Sequence, residues 1–365
     1  MENRFAFIIH PIVLEDIFRK FKALRHLPRG VTEKMVTYLP PIKVSEITGV
    51  VSPYGEAVGN FVSVNLTSKQ MLSLPEDKVI QKIIQAGKKA QKLGAKIVGL
   101  GAMTSVVGDA GISIARNLDI AVTTGNSYTV ATALEGTKKA VEKMGIDYRN
   151  AQITIIGATG SIGAVCARIL AREAKYLTLA ARNISRLESL ARDILYDTGL
   201  AVKVTSDIKK AVQRADILIS VSGASEALIE PQDLKTGAVV CDVARPRDVS
   251  PRVEELRDDV LVIEGGVVEV PGDVNFNFNF GFPQKTSYAC MAETMILALE
   301  GRFENFSLGR NLKVERVDEI TSLARKHGFK LAGFRSFERP ITDEKINNIR
   351  KNALRKKTDD KVRVH

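Results

Sequence analysis

The sequence predicts an α/β protein in which a doubly wound parallel sheet is joined to an N-terminal α/β domain and followed by a C-terminal helical segment. Three observations predict it. Beyond Asp147, short β-branched runs alternate with helical runs for more than a hundred residues, the pattern of a parallel sheet covered on both faces. The first such run, Gln152 to Ile156, leads directly into the glycine turn Gly157-Ala-Thr-Gly160-Ser-Ile-Gly163 and then into a helix. Ahead of it, residues 1–148 also alternate between helical and strand patterns, which places a second α/β domain before the first.

Taken in chain order, Lys78 to Leu93 carries apolar residues at Val79, Ile80, Ile83, Ile84 and Ala90, and stops at Gly94, as an amphipathic helix with a glycine C-terminus does. The strand Lys96 to Leu100 follows and runs into the small-residue turn Gly101 to Gly108. After the apolar run Ile120 to Val122 comes a polar loop, Thr123-Thr-Gly-Asn-Ser127, and a helix through Ala131 to Met144. Both loops have the composition of ordinary turns and equally of loops that meet a ligand. In the second domain, 149–282, Ser161 to Ala174 and Ile184 to Tyr196 read as helices. Tyr176 to Ala181, Val202 to Val204, Ile217 to Val221, Ala238 to Cys241 and Val260 to Ile263 read as strands. Residues 283–335 read as two helices separated by Gly301 to Gly309, and 336–365 as a basic, solvated helix with a frayed tail. Asn275 to Phe282 alternates strictly, which would set Phe276, Phe278, Phe280 and Phe282 on one face of an extended segment. Core packing, or an apolar wall for a long-chain substrate, would use such a face.

The glycine turn has the strand-turn-helix context of a Rossmann dinucleotide site. Gly157 permits the tight turn, Gly160 lets backbone approach a pyrophosphate, and Gly163 lets the helix pack closely. Thr159, Ser161 and Ile162 lie between them, and the phosphate would sit on the helix N-terminus. The second strand ends Ala180-Ala181-Arg182-Asn183, with no Asp or Glu between Glu173 and Glu188. An acidic residue there would bind the ribose 2′-hydroxyl of NAD, whereas Arg182, with Asn183 or Arg186 beside it, suits the 2′-phosphate of NADPH.

The chain has 365 residues, 45% of them hydrophobic, enough for two or three cores. No apolar run approaches the roughly 20 residues of a membrane-spanning helix, and no signal peptide is visible, so no transmembrane segment and a cytoplasmic location are expected. The net charge of +11 would suit nucleic acid, a membrane surface or an acidic protein. Much of it lies in Lys345 to Arg363, which has no nucleic-acid motif, so no nucleic-acid partner is expected. The histidines His10, His26, His327 and His365 and the cysteines Cys166, Cys241 and Cys290 are too scattered for a metal site or a disulfide framework. Cys166 and Cys241 have the neighbours of core residues. Cys290 falls in the first turn of a helix if Thr286 or Ser287 caps it, where backbone amides favour a thiolate. A small hydrophobe packed on a helix is the competing reading.

These blocks, together with Phe7-Ile-Ile-His-Pro, Gly265-Gly-Val-Val-Glu269, Tyr288-Ala-Cys290 and Asn305-Phe-Ser-Leu-Gly-Arg-Asn311, resemble the long-chain acyl-(acyl-carrier-protein) reductases of cyanobacteria from about Phe5 to about Phe329. The resemblance implies NADPH-dependent reduction of a fatty acyl thioester to an aldehyde through an acyl-cysteine, with the nucleophile at Cys290. It also implies acyl carrier protein or a coenzyme A thioester as partner, and leaves oligomeric state open. Oxyanion donors would come from Thr124, Asn126 and Ser127, and His10 would donate a proton or pair with the thiol, unless it is a buried structural histidine. The chain departs from the family at Tyr128, where a histidine is expected, in its shorter phenylalanine-rich segment, and in the tail after about Arg335. Two other readings stay open: an NADP enzyme of the shikimate-dehydrogenase or glutamyl-tRNA-reductase kind, and a non-catalytic NADPH-binding regulator.

Overall fold

The computed structural model describes residues 3–11, 14–18, 27–224, 226–244, 246–279 and 281–363, with side chains up to 359. His26, Phe280 and His365 lie outside them. The chain divides into two compact units that do not follow one another along the sequence. The first is formed by Met1–Tyr128, Glu269–Asn311 and Glu319–Lys330, the second by Thr129–Val268, Leu312–Asp318 and Leu331–His365.

The first unit is built on a five-stranded sheet. Its strands are β1 (Asn3–Ile9), β2 (Lys43–Ser52), β3 (Gly55–Ser63), β4 (Ile97–Leu100) and β5 (Ala121–Thr123), in the order β2-β3-β1-β4-β5. All neighbours are parallel except β2, which returns antiparallel to β3. Alternation along β1 sorts its side chains. Ala6 and Ile8 join Val62, Val98 and Leu100 in the core beneath the helix Glu76–Lys92, whose Val79, Ile83, Ile84 and Ala90 are buried at helical spacing. Phe5, Phe7 and Phe61 point to the other face and are buried there. That face is covered by the helix Ala289–Leu299, which approaches so closely that a Cβ at Gly99 would collide with Thr294 and Phe7.

The second unit holds a six-stranded parallel sheet. Its strands β6 (Gln152–Ile156), β7 (Tyr176–Ala180), β8 (Lys203–Thr205), β9 (Ile217–Ser220), β10 (Val239–Asp242) and β11 (Leu261–Glu264) run in the order β11-β10-β9-β6-β7-β8. This is the doubly wound arrangement expected, with the reversal of strand order at β6 and β9. Core residues lie on both faces: Ile153, Ile155, Leu177, Leu179, Ile217 and Ile219 on one, and Ile156, Leu218, Val240 and Val262 on the other.

Three expectations are corrected. Over its described residues, 275–279 and 281–282, the phenylalanine-rich segment is not extended with its phenylalanines in one row. Asn277 has φ of 47°, and the Asn275 and Asn279 side chains accept hydrogen bonds from the backbone N–H groups of Asn277 and Gly281, each at 2.9 Å. These asparagine turns break the strand conformation that the alternation suggested. Phe276 is buried and Phe278 is exposed. The tail is not frayed over its described length. Phe334–Ser336 and Arg339–Ile341 pair as a hairpin, and the helix Asp343–Arg363 buries Ile346, Ile349 and Ala353 in the core of the second unit. Finally, the polar loop after β5 is shorter than expected, because the next helix, Asn126–Met144, begins inside it.

Candidate functional site

In the second unit, β6 leads into the glycine turn and then into the helix Ser161–Leu170, whose N-cap is Gly160. Gly157 has φ of 76°. A Cβ there would stand 2.7 Å from the Val221 carbonyl oxygen and 2.9 Å from the Ser222 nitrogen, and one at Gly163 would stand 2.9 Å from the Ala158 Cα. Both positions therefore exclude larger residues. Gly160 is exposed, with only the Gly157 carbonyl oxygen near its Cβ direction, at 3.3 Å, so the turn presents open backbone at a helix N-terminus. Thr159, Ser161 and Ile162 are half-buried around it. These features fit a dinucleotide pyrophosphate. Arg182 is exposed just beyond the end of β7. Asn183 is committed locally: its side chain caps the helix Ile184–Thr198 by accepting from the Arg186 N–H at 3.0 Å. Arg186, in the first turn of that helix, is exposed.

At the C-terminal ends of β9 and β10, sequence reading missed a carboxylate pair. Asp248 accepts from the hydroxyls of Ser220 and Ser222 and from the Ser222 N–H, and Asp242 accepts from the N–H groups of Ala244, Asp248 and Val249. Together they fix the Val221–Ser222 segment that lies against Gly157.

In the first unit, the helix Ala289–Leu299 is buried at every position but one. Cys290 alone keeps partial exposure. It occupies the first turn, as expected, but the N-cap is Tyr288 rather than Thr286 or Ser287. The latter two lie in the strand Thr286–Tyr288, and their hydroxyls donate to the carbonyls of Pro283 and Tyr288. Cys166 and Cys241 are fully buried, and burial pushes the Cys166 thiol far above its ordinary range.

The loop after β5 lies directly on Cys290. Gly125 has φ of 73°, and a Cβ there would fall 2.6 Å from the Cys290 carbonyl oxygen and closer still to its Cα and Cβ. The sequence separates these residues by more than 160 positions and gives no sign that they meet. The loop is held by residues that sequence reading passed over. Glu293, one turn beyond Cys290 and fully buried, accepts from the Thr123 hydroxyl and, at 2.8 Å, from the Tyr128 N–H. The Gly125 N–H in turn donates to that Thr123 hydroxyl at 3.3 Å. Burial pushes the Glu293 carboxyl above the usual range, and the hydrogen bonds it accepts oppose the shift. Ser307, with φ of 52°, accepts from the Thr124 hydroxyl through its carbonyl and donates to the Ser127 hydroxyl at 2.7 Å. Asn305 accepts from Val122 N–H at 2.9 Å. Asn126 is buried at the start of the next helix. A charged residue within Ala289-Cys-Met-Ala-Glu-Thr-Met-Ile-Leu-Ala-Leu299, a run apolar apart from Glu293 and Thr294, was the signal that would have found Glu293.

His10 follows β1. Its Nδ1 donates to the Pro11 carbonyl at 3.0 Å and its Nε2 accepts from the Met103 N–H at 3.3 Å. Burial lowers its pKa, so the ring is held neutral with both nitrogens occupied. Among the described residues, no three or more His, Cys, Asp or Glu come together as a metal site, and no helix is long and apolar enough to cross a membrane.

A doubly wound sheet with an open glycine turn at its switch point is the arrangement of a dinucleotide-binding domain, and the proteins to which this chain is similar include several oxidoreductases. The family model for shikimate / quinate 5-dehydrogenase matches residues 138–264, a stretch that lies wholly in the second unit. The chain is 29% identical over 344 residues to the long-chain acyl-[acyl-carrier-protein] reductase of Synechococcus elongatus, covering 89% of this chain and 98% of that protein. It is 30% identical over 362 residues to aminotransferase PigE of a Serratia species, covering 95% of this chain but only 42% of that longer protein. It is 27% identical over 138 residues to the glutamyl-tRNA reductase of Methanocaldococcus jannaschii, covering 37% of this chain and 34% of that one.

Proposed function

We propose that this protein reduces a long-chain fatty acyl thioester, carried by acyl carrier protein or coenzyme A, to the aldehyde with NADPH. The observation that carries the reading is Cys290: a partly exposed thiol at the start of an otherwise buried helix, with the backbone of a polar loop packed on it. Similarity to the Synechococcus reductase supports it because that match spans both units. The dehydrogenase family match, confined to residues 138–264, bears on nucleotide binding alone.

Gly157, Thr159, Gly160, Ser161, Ile162 and Gly163 would hold the pyrophosphate, and Arg182, with Arg186, the 2′-phosphate. Asn183 would serve by capping the helix behind them. Bound there, the dinucleotide supplies a hydride to the acyl carbonyl carbon. The Cys290 thiolate attacks the thioester carbonyl, forming the Cys290 S–C bond as the carrier's C–S bond breaks and its thiolate leaves. Each half-reaction passes through a tetrahedral oxyanion. Asn126 and Ser127 stand nearest in sequence to Gly125 for its stabilisation, while the Thr124 hydroxyl is already committed to the Ser307 carbonyl. Collapse of the hemithioacetal returns the thiol and releases aldehyde. His10 shapes the Gly101–Ser105 turn in its present bonding, and a proton-donor role would require it to give up Pro11. Phe7, Phe61 and Phe276 pack as core of the first unit, with ring centroids 6.1 to 6.4 Å apart, so of the phenylalanines expected to wall an alkyl chain only Phe278 is exposed among those described.

Incubation with palmitoyl thioester but no NADPH should place one acyl group on the peptide containing Cys290, released as aldehyde when NADPH is added. Cys290→Ser should abolish the adduct and turnover while retaining NADPH binding, and Cys166→Ser should keep both. A serine variant with wild-type turnover, or an adduct confined to Cys166 or Cys241, refutes the reading. NADPH binding with neither adduct nor aldehyde would favour a non-catalytic regulator or a dehydrogenase acting on another substrate.

A further inference from the structure

We infer that Glu293 is the positioning residue of the acylation site: its buried carboxyl group holds the Thr123–Tyr128 loop against Cys290 by binding that loop at both ends. The inference rests on the functional reading above and adds a part to it that the sequence did not reveal.

Glu293 has no exposure to solvent, and an unpaired buried carboxylate is expensive. Its position is tolerated because the Thr123 hydroxyl and the Tyr128 N–H, from the two ends of the loop, donate to it, while the Gly125 N–H, from the loop's middle, donates to that same Thr123 hydroxyl at 3.3 Å. The carboxyl oxygens have lone pairs enough to accept from both. A neighbouring segment fixes the far side of the loop. Thr124 and Ser127 are tied to Ser307, and Phe306 pairs with the end of β5, its N–H donating to the Val122 carbonyl at 3.0 Å.

The consequence concerns the nucleophile. Glu293 and Cys290 are three residues apart on one helix, so they share a face. Gly125 is tied to the first through the Thr123 hydroxyl and packs closely on the second. Any shift of the carboxylate's bonds therefore moves the backbone that lies on Cys290. Because the Thr123 hydroxyl and the Tyr128 N–H are both turned to Glu293, the carboxyl group fixes the course of the backbone between them.

Glu293→Gln tests the inference, since the amide keeps the size but presents an NH2 where a backbone N–H or a hydroxyl donates. Two reactions of Cys290 are measured on the intact protein. Acylation by palmitoyl-coenzyme A in a single turnover develops an oxyanion, whereas alkylation by iodoacetamide displaces iodide without forming one. We expect Glu293→Gln to slow acylation about 100-fold, the scale of a misplaced oxyanion donor, and to leave alkylation within about threefold. Thr123→Val removes one donor at constant shape and should slow acylation about tenfold with alkylation again preserved; it carries the test if the glutamine variant does not fold. Equal slowing of both reactions would make Glu293 a support of the fold or of thiol access only, and unchanged acylation would remove any role. Either result overturns the inference. A wild type that alkylates at Cys290 but is never acylated there overturns the functional reading, and the inference with it.

Discussion

Replacing Gly125 with alanine should separate acyl transfer from nucleotide binding. The backbone at Gly125 has φ of 73°, where an L-residue costs about 1 to 2 kcal/mol. The added Cβ would stand 2.6 Å from the Cys290 carbonyl oxygen, against the 3.4 Å at which ordinary contact begins, a deficit of about 0.8 Å (3.4 − 2.6). The atoms it meets are backbone Cα, Cβ and carbonyl of a buried helix, so the loop must move rather than a side chain swing aside. Overpacking of this kind adds about 1 to 3 kcal/mol, for a total loss of about 2 to 5 kcal/mol in the stability of the first unit. A shift approaching 1 Å at a reacting centre is worth about 100-fold in rate. Single-turnover acylation by palmitoyl-coenzyme A, followed by intact mass and carried out below the variant's melting midpoint, should fall by that factor. NADPH affinity should be unchanged. Gly157→Ala should give the opposite pattern, because its Cβ would press on Val221 and Ser222 at 2.7 and 2.9 Å: NADPH binding lost, acylation kept. Wild-type acylation by the Gly125 variant, or loss of both properties in both variants, would refute the reasoning.

Two further outcomes are expected. Arg182→Ala should weaken NADPH by about 1.5 to 3 kcal/mol, the worth of a hydrogen bond to a charged group, with little effect on NADH; equal loss for both cofactors in a binding titration would remove the 2′-phosphate assignment. Burial raises the Glu300 carboxyl, but hydrogen bonds from Lys326 and His327 outweigh it and hold the pKa below the usual value. The stability this contributes is therefore present above the ordinary carboxylate range and lost as pH falls through the lowered one. Lys326→Met should flatten that acid loss of thermal midpoint by an amount on the order of a surface pair, about 0.2 to 1 kcal/mol, and an unaltered pH profile would show that Lys326 contributes nothing to it.

The second unit was legible because each of its strands is a short apolar run feeding a helix, and both patterns are local. The boundaries of β6 were read to the residue. In the first unit, the antiparallel pair β2 and β3 went unread although Ser52-Pro-Tyr-Gly55 marks its turn, because register shifts between Lys43 and Ser45 and between Ile47 and Val50 interrupt the alternation. The Asn275–Phe282 segment failed in the opposite sense: its alternation was perfect, but asparagine side chains offered the backbone a competing set of hydrogen bonds. In the tail, Ile346, Ile349 and Ala353 stand at spacings of three and four within a charged run, so a buried stripe was present and was outweighed by composition.

The candidate site was legible only in pieces, and the reason is how the units are assembled. Thr123, Cys290, Glu293 and Ser307 all belong to the first unit, yet the whole nucleotide-binding stretch intervenes between the first of them and the rest. A sequence reader sees two glycine-containing loops and a cysteine in three successive segments, and naturally groups Cys290 with its neighbours in the chain. The hydrogen bonds group it with Thr123–Tyr128 instead. That grouping has a chemical consequence for the proposed reaction. Every group that fixes the loop on Cys290, from the Thr123 hydroxyl to Ser307, is supplied by one unit, while the glycine turn and Arg182 are supplied by the other. Thioester attack needs only the first set, and hydride delivery needs the second. An acyl-cysteine should therefore form and persist without dinucleotide, which is why the adduct experiment omits NADPH, and why substitutions at Gly125 and Gly157 should fail in different half-reactions.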